Sequence, residues 1–315
     1  MILKRFFSSN NVKRLFSTRP IYLRPDQPEI HTLSVIHDSA IIDPSAKIGP
    51  FCTIGPNVQI GANCELKSHV VMDGFTKMGS NCIIYPHASI GTHSQDKKYK
   101  GGNTKLTIGN NCIIRESTSI NCGTEEEFGG NPNGTRIGNN LLLMWGSHIG
   151  HDCDIGNDVV ITSLVAVAGH VSMEDKVIIG GVCGIVQNTH IGKLTMIGAG
   201  SLITKNVLPY SMVMGNPGSL RGVNLVGLRR AGIPKKQIIF LLKIQKYLFP
   251  TIVSKNSSPK HPDLPQRKFL SDRVSAVMSL INSGVIEKET TVLVEEVLHI
   301  LNVNKNVTMS LCEYK

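Results

Sequence analysis

The sequence predicts an all-β solenoid, a parallel β-helix of hexapeptide repeats followed by a C-terminal α-helical domain. Three observations predict it: an aliphatic residue every six positions, a small or compact residue four places after each, and a change to helical spacing past Pro217. A short fixed period is the signature of a stacked solenoid. The aliphatic series opens with Ile36, Ile42, Ile48, Ile54, Ile60, Leu66, Met72, Met78, Ile84 and Ile90. It resumes at Ile108, Ile114 and Ile120, then runs from Ile137 through Leu143, Ile149, Ile155, Ile161, Val167, Met173, Ile179, Ile185, Ile191 and Ile197 to Ile203. Six residues make a short strand and a turn, and three such sides close a coil whose backbone stacks on the next at about 4.8 Å. Gly follows the aliphatic residue in several hexads, as in IGPFCT and IGPNVQ, where a tight bend is expected. The segments QIIFLLKIQKYLF, VSAVMSLINSGV and TTVLVEEVLHILN read as helices that cap the prism or pack on neighbours.

Composition agrees. Thirty glycines and a single tryptophan, Trp145, suit a regular repeat packed by small residues. Cys52, Cys64, Cys82, Cys112, Cys153 and Cys183 occupy the small inward slot, Cys122 and Cys312 lie outside it, and no CxxC pair exists, so the thiols read as core fillers in a reducing compartment. The net charge is +10, but Lys4, Arg5, Lys13, Arg14 and Arg19 supply half of it before the first acid, Asp26. The remainder gives no argument for nucleic-acid binding. Residues 1–20 are basic, Ser-rich and acid-free, and read as a mitochondrial presequence with a processing site near RLFS at 14–17, which places the protein in the matrix. The prism is expected over 21–220 and the helical domain over 221–315. No transmembrane segment is expected, because Lys243 and Lys246 interrupt the most apolar stretch.

Function is sought where the repeat breaks or its outward positions are unusual. The first break, Gln95 to Thr107, is a polar loop with three lysines before a Gly-Gly pair. The second, Asn121 to Arg136, carries three consecutive glutamates. Solvated loops are the plain reading of both, with the first the stronger functional candidate. His151, Gly169 and Gln187 are 18 residues apart, one coil each, and each lies two places after its aliphatic residue. They are expected to form one outward column flanked by His148 and His170. An imidazole beside a glycine whose N–H is accessible suits acyl transfer, with His151 as general base and the Gly169 N–H stabilising an oxyanion.

LKSHVVMDGFTKMG (66–79), ASIGTHSQDKKY (88–99), SHIGHDC (147–153), VAGHVSMEDKVIIGG (167–181) and GVNLVGLRRAG (222–232) resemble the acyl-carrier-protein–UDP-N-acetylglucosamine O-acyltransferases of lipid A biosynthesis. The resemblance spans about residues 34 to 235 in order. It implies left-handed coiling, a homotrimer with sites between neighbouring prisms, no metal or other cofactor, and transfer of a 3-hydroxyacyl chain from acyl carrier protein to the 3-hydroxyl of UDP-N-acetylglucosamine. Under it, His151 matches the general base and Gly169 the oxyanion donor, with Asp152 a partner for the base. Gln95, Asp96 and Lys98 match the loop that grips the glucosamine and acyl chain. His148 and His170 match substrate-contacting histidines, and Gln187 matches a nucleotide-side contact. Asn224 and Arg230 match the segment that reaches the UDP part, and Ala199 matches the floor of the acyl groove. Val186, Val226, Ala231 and the pair Asn121 and Cys122 depart from the family pattern, so the catalytic column is intact while the nucleotide end is thinned. A basic cluster of Arg221, Arg229, Arg230, Lys235 and Lys236 suits an acidic carrier protein.

Two other readings stay open. A γ-class carbonic anhydrase needs three imidazoles on zinc, usually with a His-x4-His spacing that this chain lacks. A catalytically inactive trimeric scaffold would keep the repeat but has no reason to keep His151, Gly169, Asp96 and Lys98 together.

Overall fold

The computed structural model describes residues 27–249, 270–283 and 288–303. The expected presequence, its processing site and Cys312 lie outside the described residues. From Glu29 to Val223 the chain winds as a parallel β-helix with three faces of eleven, nine and eight strands. Most strands are two residues long, with the second residue buried, as in Thr53–Ile54 and Val160–Ile161. Each strand pairs in parallel with its equivalent one coil on. Lys47 aligns with Glu65, and Glu65 with Ile83. The two sequence breaks leave this register untouched: Ile83 aligns with Ile113 and Ile113 with Leu142, spacings of 30 and 29 residues in place of 18. The additional residues loop out of one corner, and the coil closes as before.

Inside the prism the hexad residues stack into one continuous core. Ile84, Ile114, Leu143, Ile161 and Ile179 are fully buried. All seven described cysteines are buried and free, including Cys122, which lies outside the hexad slot and whose thiol donates to the Gly91 carbonyl.

One expectation needs correction. The glycine after each aliphatic residue is not where the chain bends. The left-handed backbone falls two residues later, at Asn57, Asn63, His69, Asp152 and His170, with φ near 60°. Asn and Asp tolerate that region better than most side chains do. The glycines instead permit coils to approach: a Cβ on Gly49 would lie 2.8 Å from the Lys67 carbonyl oxygen, and one on Gly61 2.6 Å from that of Gly79.

The last strand, Ser219–Val223, runs antiparallel to Ser211–Met214 and carries the prism three residues past the expected boundary at 220. Four helices follow among the described residues: α1 (Leu225–Arg230), α2 (Lys235–Leu248), α3 (Leu270–Asn282) and α4 (Lys288–Val303). Helix α2 packs on the last strand, where the Gln245 amide donates to Ser211 Oγ and the Gly222 carbonyl. Glu296 of α4 pairs with Lys193 and accepts from the buried Tyr210 hydroxyl, pinning the helical cap to the final coils. No helix among the described residues is long and apolar enough to cross a membrane.

Ile161 has no accessible surface, and neighbouring coils are held in register, so a void there collapses poorly. Ile161→Ala is expected to lower the unfolding free energy by about 2–5 kcal/mol. The readout is a lower denaturant midpoint at constant slope. A midpoint equal to wild type would contradict the picture of a close-packed column.

Candidate active site

The second face of the prism aligns Ile149, Val167 and Ile185 across three successive coils. Two residues after each, at the corner leading to the third face, come His151, Gly169 and Gln187, so the column expected from the 18-residue spacing exists. Both insertions leave from this same corner in the two preceding coils. The first follows the strand Ser89–Thr92, and the second follows Ser119–Asn121. They therefore fold over the column from its N-terminal side. His151 is consequently only 8% exposed, whereas Gln187, two coils beyond, is exposed.

The His151 Nδ1 lies 2.8 Å from Asp152 Oδ2. Since the carboxylate accepts, Nδ1 carries the proton and Nε2 keeps its lone pair toward the cleft. Asp152 has no accessible side-chain surface. Its carboxylate also accepts from the Thr124 N–H, the Thr124 hydroxyl at 2.7 Å and the Asn131 N–H at 2.9 Å. Burial alone would raise the Asp152 carboxyl, but the bonds from His151, Thr124 and Asn131 outweigh it and hold the group below its ordinary value. The second insertion is thus no solvated loop at this point. It supplies three of the bonds that keep the partner of the base ionised.

Gly169 lies against the imidazole: a Cβ there would sit 2.4 Å from His151 Nε2. Its carbonyl accepts from Asn188 N–H, while its own N–H has no acceptor among the described residues. On the other side Asp96 Oδ2 is 3.9 Å from His151 Nε2. The first insertion is held by its own bonds, with Asp96 Oδ1 accepting from the Lys98 N–H and His93 Nδ1 2.7 Å from the Tyr99 hydroxyl. His148 Nδ1 is 2.7 Å from Ser119 Oγ, and the His170 ring stands edge-on to His151 at 5.0 Å.

Gln95, Asp96, Asn121, His148, His151, Gly169, Val186 and Gln187 line one cleft of about 650 Å³, whereas Lys98 and His170 are not part of its wall. Lys98 is exposed and acts on His170, whose charged form it disfavours. Asn121, which takes no site role in the sequence reading, lines the same cleft. Its amide nitrogen faces the carbonyls of Thr92 and His93, a fold contact that a repeat-breaking Asn at a loop mouth would have suggested.

Three expected residues stand elsewhere. Asn224 and Arg230 border a different cleft of about 810 Å³ against the first face, with Val160, Ile178, Met196 and Val226. Asn224 is the N-cap of α1: its Oδ1 accepts from the Gly227 N–H at 2.9 Å and its Nδ2 donates to the Leu194 carbonyl at 2.8 Å. Its side chain thus takes part in capping α1 while still bordering this cleft. Arg230 is exposed. Ala199 follows a strand of the first face, Met196–Ile197, and does not line the His151 cleft.

His151, Asp152 and His170 hold the one group of potential metal donors among the described residues whose ligand atoms lie within 4.8 Å. It offers two imidazoles and a carboxylate, not the three imidazoles of the carbonic anhydrase reading, and the carboxylate oxygen nearest both rings already accepts from Thr124 Oγ1 and His151.

Burial, reinforced by the neighbouring His151, pushes the His148 imidazole below its ordinary value. Burial does the same to His170, against the pull of the Asp152 and Asp96 carboxylates. Both groups bind protons less readily folded than unfolded, so stability is constant above the unfolded value of 6.5 and declines as pH falls below it. The melting temperature is expected to drop between about pH 7.5 and about pH 5.5. His148→Gln should reduce the drop, and a wild-type melting temperature flat over that interval would contradict the assignment.

The chain matches two family models: residues 30–124 match one described as the GMPPB C-terminal domain, and residues 206–283 match the second domain of UDP-N-acetylglucosamine O-acyltransferase. A curated acyl-[acyl-carrier-protein]–UDP-N-acetylglucosamine O-acyltransferase from Paracoccus denitrificans is 46% identical over 120 residues, 38% of this chain and 44% of that protein. One from Sinorhizobium fredii is 41% identical over 163 residues, 50% of this chain and 59% of that protein. The chain thus spans about half the length of these curated relatives. Against solved structures it spans nearly all. The Moraxella catarrhalis enzyme is 36% identical with a TM-score of 0.75, covering 90% of this chain and 99% of that one. The Arabidopsis enzyme is 29% identical with a TM-score of 0.72, covering 90% and 100%. The prism shares the left-handed parallel β-helix of these structures. Over that extent and at that identity, the chain belongs to the UDP-N-acetylglucosamine O-acyltransferase family.

Proposed function

We propose that the protein transfers a 3-hydroxyacyl chain from acyl carrier protein to the 3-hydroxyl of UDP-N-acetylglucosamine, as a homotrimer, in the first step of a lipid A-type pathway. One observation carries this reading. A buried imidazole with an oriented free Nε2 shares a cleft with a backbone N–H one coil away that has no acceptor among the described residues.

The chemistry follows from the atoms. His151 Nε2 takes the proton of the sugar hydroxyl as its oxygen attacks the thioester carbonyl carbon, and the ionised Asp152 stabilises the imidazolium through Nδ1–H. The Gly169 N–H receives the developing oxyanion. Collapse of the tetrahedral adduct breaks the C–S bond, and His151 returns the proton to the departing carrier thiol. Asp96, Lys98, Gln95 and His148 surround the place of the sugar and the head of the acyl chain. His170 stands against His151 and Asp152, and Gln187 lies one coil beyond the oxyanion donor, toward the nucleotide. Val186 and Val226 leave that nucleotide end with fewer polar contacts. The exposed cluster of Arg221, Arg229, Arg230, Lys235 and Lys236 offers the acidic carrier a docking surface.

The acid-free basic composition of residues 1–20 supports delivery to the mitochondrial matrix. A fluorescent fusion of residues 1–20 that stays cytosolic would remove that part of the proposal.

Purified protein assayed with 3-hydroxyacyl carrier proteins and UDP-N-acetylglucosamine is expected to form the 3-O-acyl sugar nucleotide. His151→Ala should lose about 10²–10⁴-fold in turnover. No turnover with any chain length, a His151→Ala variant as active as wild type, or stoichiometric zinc in active protein would each overturn the mechanism. Gly169→Ala should also be strongly impaired, because its Cβ takes the space of the His151 ring. Wild-type activity in that variant would remove Gly169 from the site.

A further inference from the structure

The second insertion grips the first as well as the catalytic carboxylate. Glu125 follows Thr124, whose N–H and hydroxyl hold Asp152. The Glu125 Oε1 accepts from two backbone N–H groups of the first insertion, Lys100 at 3.0 Å and Gly102 at 2.7 Å. Its own carbonyl accepts from the N–H of Phe128 and of Gly130, both at 3.0 Å, which ties its backbone to the 3₁₀ turn Glu126–Phe128. The side chain is therefore held at both ends. Of the three consecutive glutamates, Glu126 and Glu127 are exposed, and Glu125 alone is partly buried.

The surrounding glycines fit this bridge. A Cβ on Gly102 would lie 2.5 Å from Glu125 Cγ. One on Gly123 would lie 2.7 Å from Asp152 Oδ1, and one on Gly130 2.1 Å from the Thr124 carbonyl. The first two contacts join an insertion to its bonding partner and the third lies within the second insertion, so side chains at these positions would crowd the junction of the two loops and the carboxylate. The first insertion has a second anchor in the His93–Tyr99 pair, and the Tyr99 hydroxyl donates to the Gly102 carbonyl. Asp96 and Lys98 lie between these two anchors.

From this geometry we infer that Glu125 is a positioning residue: its carboxylate clamps the segment 95–102 so that Asp96 and Lys98 are held over His151. Two adjacent residues of one loop then set the two halves of the site. Thr124 fixes the base through Asp152, and Glu125 fixes the groups that meet the sugar. The inference rests on the acyl-transfer reading for its substrate, and it is a statement about binding of the sugar nucleotide and not about proton transfer.

The full-length protein, Glu125→Ala, Glu125→Gln and the exposed control Glu127→Ala are compared by calorimetric binding of UDP-N-acetylglucosamine, by steady-state kinetics and by amide exchange at Lys100 and Gly102. Glu125→Ala is expected to weaken sugar-nucleotide binding and raise its KM about tenfold, the scale of losing a charge-assisted pair of bonds. The KM for acyl carrier protein and the melting temperature should stay near wild type, and the Lys100 and Gly102 amides should lose protection. Glu125→Gln keeps an acceptor oxygen and should recover most of the binding. Combining Glu125→Ala with Lys98→Ala should cost less than the product of the single effects, because both remove the same placement. Wild-type binding in Glu125→Ala despite lost amide protection would overturn the inference, as would a fall in melting temperature that accounts for the whole binding loss. A wild type that binds the sugar nucleotide without turning over would refute the acyl-transfer reading and leave the clamp to be judged on binding alone.

Discussion

Everything in this molecule depends on coils stacking in register. A parallel ladder two residues wide has little stability on its own, and it persists because each face repeats the pairing many times and because the inward side chains form one uninterrupted core. Register has a second consequence. A residue and its equivalent one coil later are held at the strand spacing of about 4.8 Å, so a corner of the prism is a scale on which chemistry can be laid out. His151, Gly169 and Gln187 are successive marks on it. The glycines that follow the aliphatic positions protect the scale, because a Cβ at Gly49 or Gly61 would strike the backbone of the next coil.

Regular stacking cannot by itself make an active site, since each corner residue sees only its neighbours above and below and is open to water outside. The insertions change that. They leave the corner just before His151 and cover it, and the cover is what permits Asp152 to lose all side-chain exposure while staying ionised. A buried carboxylate without partners would protonate and free the imidazole to turn. Bonds from Thr124 and Asn131 prevent this, and they come from the second insertion and not from the coil. The prism supplies distance; the loops supply dielectric and orientation.

This division accounts for what was legible in the sequence. The fold was legible from a period of six, and the column from a period of eighteen, because both follow from spacing alone. The pairing of Ile149 with Val167 and of Val167 with Ile185 sets His151, Gly169 and Gln187 on successive coils, and Gln95, Asp96 and His148 line the same cleft. Contacts that cross the insertions were not legible. Thr124 reaches Asp152 over 28 residues and Glu125 reaches Gly102 over 23, separations that match no multiple of the coil. The glycines after the aliphatic residues were misread for a related reason: proximity to a bend is visible in sequence, whereas the approach of another coil is not. Asn224 has the side chain of a helix N-cap and the position of one, so its capping role is legible from the residue type and the helix that follows it.

The separation of the two clefts bears on assembly. His151 sits at the corner after the second face, while Arg230 and the apolar surface of Val160, Ile178 and Met196 lie on the first. One chain therefore carries the His151 cleft on one side and a basic, apolar-walled cleft on another, and a straight prism cannot fold one onto the other. Two different surfaces that complement each other make a head-to-tail contact, and such contacts close into rings when the rotation between copies permits. In the proposed homotrimer each site would then take its base from one chain and its arginine from the next.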